Sequence, residues 1–247
     1  MEVVDTETAK EFMKETLAAV EVEELTVICA EVEAKSAWFR ETLAVDAISS
    51  LQSEQFDEVL GRIFPIRGKG RKLLAELDIV VVRARLTELL DGAGDPGSRL
   101  QAFGDQFEGL ADNLRVDLAS ELLHFARPEN HWLWTRWMWD PRTRTGSLPL
   151  VTTAAYDLQG ENSAEIYMKV GNAVAFVHEV GAAAGFQKIS NNIFGTDVYL
   201  ACVYTVYVYT VLKMRMTQEF NKVIPQLPEF CRRLLGVHRK NGSKKPV

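Results

Sequence analysis

Cysteine is scarce in this chain, and so is the long apolar run that a membrane helix needs. The three cysteines, Cys29, Cys202 and Cys231, lie far apart, and none are spaced as C-x-x-C. The longest uncharged apolar stretch, 198–212, has 15 residues, whereas a helix that spans a bilayer needs about 20. These absences argue against a disulfide scaffold and a membrane protein, and they predict a cytoplasmic protein with reduced thiols.

The familiar signatures of secretion and catalysis are also missing. The acidic start of the chain has neither the basic nor the apolar region of a secretory signal. No G-x-S-x-G or H-E-x-x-H occurs, and four histidines are too few and too scattered to suggest a catalytic triad. The stretch 92–97 matches the letters of G-x-G-x-x-G, but a predicted helix rather than a strand precedes it. The sequence therefore leans away from an enzyme without deciding the question.

Charge is unevenly distributed along a chain that has ample material for a core. Apolar residues make up 47% of the sequence, and the net charge is -6. Residues 1–60 hold 15 acids and 4 bases, whereas the remainder holds 19 acids and 24 bases. Such asymmetry marks either an interaction surface or two parts of one fold that attract each other. An isoelectric point near 5.4 makes a nucleic-acid partner unlikely, because phosphate binding is chiefly electrostatic.

Helical periodicity dominates the sequence and predicts a mainly α protein. Helices are predicted at 7–20, 24–43, 53–63, 69–90, 110–125, 163–184, 196–221 and 227–235. The helix at 196–221, with Thr196 or Asp197 as its N-cap, is apolar nearly all round as far as Leu212. It should therefore be the buried central helix, although its valines and tyrosines leave a β-hairpin as the alternative.

Only one other segment favours a strand, and only one favours disorder. At most a small β element is predicted near 148–157, and the chain divides loosely near 141–162. No linker composition occurs there, so 1–237 is predicted to be a single helical domain. The basic tail 238–247 has no apolar pattern and is predicted to be disordered.

The most unusual segment is 131–140, which contains four of the five tryptophans. Neither a helix nor a strand places all four indoles on one face, so the segment is either buried on both sides or exposes one pair. An exposed pair beside arginines would form a contact surface for a protein or would stack a planar ligand. The alternative is an aromatic core in which Arg136 pairs with Asp140. The candidate contact residues are Trp132, Trp134, Arg136, Trp137, Trp139 and Asp140.

A basic turn at 62–72 contains five bases and no acid. Gly68 and Gly70 loosen its backbone just before a predicted helix, an arrangement that suits an anion. The spacing of a Walker motif is absent. The alternative is a solvated turn that meets the acidic N-terminal part. The candidate anion-binding residues are Arg67, Lys69, Arg71 and Lys72.

Glu121 and His124 form an E-x-x-H on a predicted helix, the spacing found in carboxylate-bridged di-iron bundles. The second such motif and the further carboxylates of a di-iron site are lacking, so no metal is expected. A partly buried Glu121 should instead pair with an arginine or a tyrosine hydroxyl.

These observations lead us to expect a non-enzymatic accessory or assembly protein that acts through protein–protein contacts, with a protein partner or as a homo-oligomer. The alternative is a binder of a small molecule or of a cofactor of unknown identity, with 131–140 as the pocket wall. A nucleic-acid binder is less consistent with the charge, and no membrane partner is expected.

Overall fold

Helices account for most of the chain that the structure describes, as the sequence predicts. The computed structural model describes residues 3–107, 109–215 and 225–238, and only the backbone of Lys69 and of 212–215. Within these ranges it contains two isolated antiparallel bridges but no β-strand. The helices are α1 (Thr6–Ala19), α2 (Val22–Thr42), α3 (Val45–Ser50), α4 (Ser53–Gly61), α5 (Lys69–Ala75), α6 (Ile79–Asp91), α7 (Pro96–Asp105), α8 (Asp112–Ala126), α9 (Leu148–Val151), α10 (Ser163–Glu179), α11 (Gly181–Ala184), α12 (Ile193–Arg215) and α13 (Leu227–Leu234).

The prediction of a single long helix at 69–90 is wrong, because the helix is interrupted between α5 and α6. Asp78 lies at the break, and its side chain accepts a hydrogen bond from the amide of Val80. An aspartate that caps a new helix in this way competes with continuation of the old one. The β-branched run that follows Asp78 therefore begins a helix.

The segment that favours a strand, 148–157, forms one helical turn and one bridge. Its first residues are the short helix α9, which begins beside Pro149. Thr152 then makes an isolated antiparallel bridge to Val4. The β element is thus a single pair of residues that ties the N-terminal segment to the end of α9.

The predicted central helix is α12, and its core half lies deep in the fold. Every side chain from 198 to 203 is buried, and the helix packs against α1, α2 and α13. Neither Thr196 nor Asp197 caps it, because Asn192 accepts the amide hydrogen bonds of Phe194 and Gly195 and starts the helix earlier. The predicted extension to 221 and most of the tail 238–247 lie outside the described residues. No helix among those residues is long and apolar enough to cross a membrane.

The second central element is α8, for which the spacing of Leu114, Leu118, Leu122 and Phe125 predicts an amphipathic helix with a single core face. Instead, every residue from Asp117 to Ala126 is buried. Helices α2, α6 and α7 pack against it, and residues 131–140, which we call the tryptophan segment, begin five residues after its end. The buried apolar residues form one cluster that runs from Val3 to Leu235. Polar side chains on α8 are therefore held inside the core.

Candidate ligand-binding cleft

Helix α8 carries a stripe of buried polar side chains spaced three or four residues apart, so they follow one side of the helix. They are Asp117, Ser120, Glu121 and His124. A buried polar group is costly unless it has a hydrogen-bond partner. The partners of this stripe come from α2, α12 and the tryptophan segment, so the stripe holds these elements in register.

Glu121 pairs with Lys35 of α2, not with the arginine or tyrosine that the sequence predicts. Lys35 Nζ lies 2.8 Å from Glu121 Oε2 and 3.0 Å from the carbonyl oxygen of Leu235. It also lies 3.8 Å from the centre of the Phe125 ring. Burial raises the pKa of Glu121, and the charge of Lys35 opposes this rise. Burial lowers the pKa of Lys35, and the charge of Glu121 opposes this fall. The lysine missed by sequence reasoning lies 86 positions from its partner.

His124 does not join Glu121 in a common site, because it pairs with Asp197 of α12. Both side chains are fully buried, with His124 Nε2 2.8 Å from Asp197 Oδ2. The other ring nitrogen, Nδ1, contacts the carbonyl oxygen of His131 at 2.8 Å. Within the described ranges, no group of three or more His, Cys, Asp or Glu side chains could hold a metal ion. The E-x-x-H spacing here serves two separate buried pairs.

The tryptophan segment is an irregular turn, neither the helix nor the strand considered from its sequence. The amide of Trp134 donates to Ser120 Oγ at 2.7 Å, and its indole donates to the carbonyl oxygen of Trp139 at 3.0 Å. Trp134, Trp137 and Trp139 are 3%, 7% and 5% exposed, and Trp132 is half-buried. The irregular backbone therefore directs three indoles into the protein and leaves none fully exposed.

Arg136 pairs with Asp117, whereas the sequence suggests Asp140 as its partner. Its Nε lies 3.0 Å from Asp117 Oδ2, and its backbone amide donates to Oδ1 at 3.1 Å. Asp117 is buried, but the side chain of Arg136 is 42% exposed. Burial raises the pKa of Asp117 to about 7, against the opposing charge of Arg136. A carboxyl group that titrates near neutral pH thus lies beside an accessible guanidinium.

Two cavities open on either side of this pair. The first, of about 250 Å³, lies between α8, the tryptophan segment and the start of α10. We call it the tryptophan cleft, and its lining includes Val116, Asp117, Trp134, Arg136, Trp139 and Ile166. The second, of about 320 Å³, has Phe64, Trp137, Tyr204 and Phe230 in its lining. Both share Asp117, Arg136 and Asp140, so the sequence-predicted contact residues, except Trp132, line one or both cavities.

The arginines of the basic turn, residues 62–72, form hydrogen bonds with different parts of the protein. Arg71 makes two hydrogen bonds to Asp57, at 2.7 and 2.6 Å. Arg67 donates to the carbonyl oxygens of Gly61 and Gly236, and Lys72 is exposed. The side chain of Lys69 lies outside the described set. Of the predicted residues whose side chains the structure describes, Arg67 and Arg71 have different hydrogen-bond partners.

No known protein family, curated protein or solved structure shows significant similarity to this chain.

Proposed function

We propose that this protein binds a small, planar, largely apolar molecule with an anionic group in the tryptophan cleft. The observation that carries the proposal is the cavity of about 250 Å³ itself, in which two indoles meet a buried carboxyl group and a guanidinium. Ligand sites in proteins are concave and mostly apolar, with a few polar groups that fix orientation. The cleft has this composition.

The polar groups of the cleft support a functional role. A titratable side chain with a strongly perturbed pKa in a cleft is a marker of functional sites, because burial that is costly for stability is retained where it is used. The pKa of Asp117, which burial raises to about 7, fits this description. Its Arg136 partner keeps part of its guanidinium accessible to a ligand.

The lining of the cleft holds the carboxyl groups of Asp112, Asp117 and Asp140, and its two arginines are the groups that can contact an anionic substituent on the ligand. Asp112 forms an ion pair with Arg115, and Asp117 pairs with Arg136. Arg142 also lines the cleft, its side chain is exposed, and it forms no ion pair among the described residues. An arginine in this position can donate two parallel hydrogen bonds to a carboxylate, phosphate or sulfonate.

The other expectation, contact with a protein partner through exposed tryptophans, has weaker support. A tryptophan that contacts a partner protein must be accessible before the partner binds. Here three of the four indoles are buried and that of Trp132 is half-buried. Protein contact through this segment stays a prediction, and the cleft is the stronger proposal.

Titration with anilinonaphthalene sulfonate tests the proposal, because this probe is planar, apolar and anionic. We expect saturable binding with one site per chain, seen as probe fluorescence and as quenching of tryptophan emission. Val116→Trp should block binding by filling the cleft. Val80→Trp is its matched control, since it makes the same change at a valine that is 64% exposed on α6.

A second pair of variants tests the role assigned to Arg142. Arg142→Gln should weaken probe binding about tenfold, equivalent to roughly 1.4 kcal/mol. Arg144→Gln removes the same charge two residues away, at an exposed side chain outside the cleft lining, and should bind as the parent does. Equal binding by Val116→Trp and Val80→Trp would show that the probe binds elsewhere, and the proposal would then be wrong.

A further inference from the structure

A separate cavity of about 330 Å³ lies where α2, the turn before α5 and the end of α13 meet. We call it the basic cavity. Its lining includes Glu31, Lys35, Arg62, Arg67, Gly236 and His238. It shares no lining residue with the tryptophan cleft, so inferences about the two sites are independent.

The charges of the basic cavity are not balanced within it. Its lining has three basic side chains, Lys35, Arg62 and Arg67, and one acid, Glu31, which is bound by Arg232 at 2.6 Å. Lys35 pairs with Glu121, and Arg62 pairs with Glu58 at 2.7 Å. Arg67 forms no direct ion pair with any residue that the structure describes, and the charge of Glu121 acts on it only from beyond ion-pair distance. The lining thus has a partly buried guanidinium without a bound counter-charge.

Arg67 is held in place by backbone groups, which leaves part of its hydrogen-bonding capacity unused. Its Nε donates to the carbonyl oxygen of Gly61 at 2.8 Å, and its Nη2 donates to that of Gly236 at 2.9 Å. A guanidinium has five N–H donors, and Nη1 and one hydrogen of Nη2 have no hydrogen-bond acceptor among the residues that the structure describes. Because neutral carbonyls hold the group, its positive charge is not cancelled at the contact.

Arg62 shows a similar arrangement. Its guanidinium carbon lies 3.9 Å from the centre of the Trp38 ring, which fixes the plane of the group. Its Nε is buried and has no hydrogen-bond partner among the described residues. Arg62 and Arg67 are therefore two fixed guanidiniums beside one cavity.

We propose that the basic cavity binds the phosphate group of a small phosphomonoester, with Arg67 as its anchor. Arg62 supplies the second guanidinium, whereas Lys35 in the same lining is paired with Glu121. Fixed guanidinium forks match the geometry of phosphate oxygens. A volume near the lower end of the roughly 300–1,000 Å³ typical of ligand pockets leaves room for an organic group beyond the phosphate.

Calorimetric titration of the full chain with glycerol phosphate and with inorganic phosphate, at constant ionic strength, tests this inference. We expect saturable binding of both, with the ester tighter. Arg67→Gln should weaken binding at least tenfold. Lys72→Gln removes one charge from the same turn at an exposed side chain outside the cavity, and it should change affinity little.

Amide resonances give a readout that does not depend on the variants folding. In the parent protein, glycerol phosphate should shift the amide signals of Gly61, Gly236 and Val237 and leave that of Trp139 unchanged. Three results would overturn the inference: no saturable binding at millimolar ligand, equal losses in the two variants, or binding of inorganic phosphate with the ester excluded. Any of these results would leave the proposal for the tryptophan cleft unaffected, because the two cavities share no lining residue.

Discussion

His124 and Asp197 form a fully buried pair that joins the two central helices, with 2.8 Å between Nε2 and Oδ2. His124 Nδ1 contacts the carbonyl oxygen of His131, so both ring nitrogens face acceptors. Only the protonated imidazole donates from both nitrogens. Burial lowers the pKa of His124, but the charge and hydrogen bond of Asp197, together with the hydrogen bond to the His131 carbonyl, give a net rise. The pair thus fixes the start of the tryptophan segment as well as the helices.

Asp197→Ala should destabilise the protein by about 3–5 kcal/mol, because it leaves a buried imidazolium without its counter-charge. Urea denaturation at pH 6 measures the loss. Asp105→Ala is the matched control, since Asp105 is exposed at the end of α7, and its loss should stay within about 0.5 kcal/mol. Equal stability of the two variants would contradict the charged pair.

The pH dependence of stability should report the environment of Asp117. Burial raises the pKa of this group from 3.8 to about 7, so the folded state binds the proton more tightly than the unfolded state. Protonated Asp117 therefore contributes to the free energy of unfolding in full below about pH 4, and this contribution is lost as the pH rises to about 7. The free energy of unfolding, relative to Asp117→Asn, should therefore fall by up to about 4 kcal/mol across this range.

The comparison with Asp117→Asn cancels the other titrating groups, including His124, whose raised pKa gives a loss of the same sign at higher pH. Urea denaturation of both proteins between pH 4 and pH 9 provides the measurement. A difference that grows with pH would mean that Arg136 dominates burial and that Asp117 is an ordinary ionised partner.

Gly97 permits a close approach of α7 to α10, which shapes one side of the fold near the tryptophan cleft. A Cβ at this position would lie 2.5 Å from the carbonyl oxygen of Ala164. Gly97→Ala should therefore cost about 1–3 kcal/mol, because one helix must shift. Gly171→Ala, within α10, is the control, since the nearest of the neighbouring atoms to its added Cβ is Trp132 Cδ1 at 3.7 Å, an ordinary van der Waals contact. Thermal unfolding of both variants distinguishes the steric explanation from a general effect of losing glycine.

Sequence periodicity was sufficient for the mainly α class and for most helices, because apolar spacing and caps are local signals. It failed at 69–90, where Asp78 caps a new helix within a continuous apolar pattern. It also failed on α8, because a helix buried on every side does not reveal which polar residues have distant partners. Asp117 carried no local signal that distinguishes it from a surface aspartate.

The pairs within the site depend on contacts between distant parts of the chain. Lys35 looks like any other lysine of a solvated helix, yet it meets Glu121 in the core. Cys202 and Cys231, far apart in sequence, place their sulfurs 3.7 Å apart. The four tryptophans in ten residues indicate either a densely packed or a ligand-binding region, in a helix, a strand or a turn alike. Two of them, Trp134 and Trp139, line the tryptophan cleft. Which of them lines a cavity depends on the turn.

One of the two arrangements that the sequence allows divides the four tryptophans into a core pair and a contact pair, but their burial predicts a different division. Alanine at Trp134, Trp137 or Trp139 should cost about 3–5 kcal/mol, as expected for buried tryptophans. Trp132→Ala should cost less, because this side chain is half-buried. Urea denaturation of the four variants measures the division, and a loss at Trp132 as large as that at Trp134 would contradict it.

Phenylalanine variants separate packing from hydrogen bonding within the buried set. The indole of Trp134 donates to the carbonyl oxygen of Trp139, whereas the indole nitrogen of Trp139 is buried without a partner. Trp134→Phe therefore removes a formed hydrogen bond and should cost about 1–3 kcal/mol more than Trp139→Phe, which removes an unpaired donor. Both variants keep an aromatic ring, so each is the packing control for the other. Equal losses would show that ring volume, not the hydrogen bond across the turn, holds this wall of the tryptophan cleft.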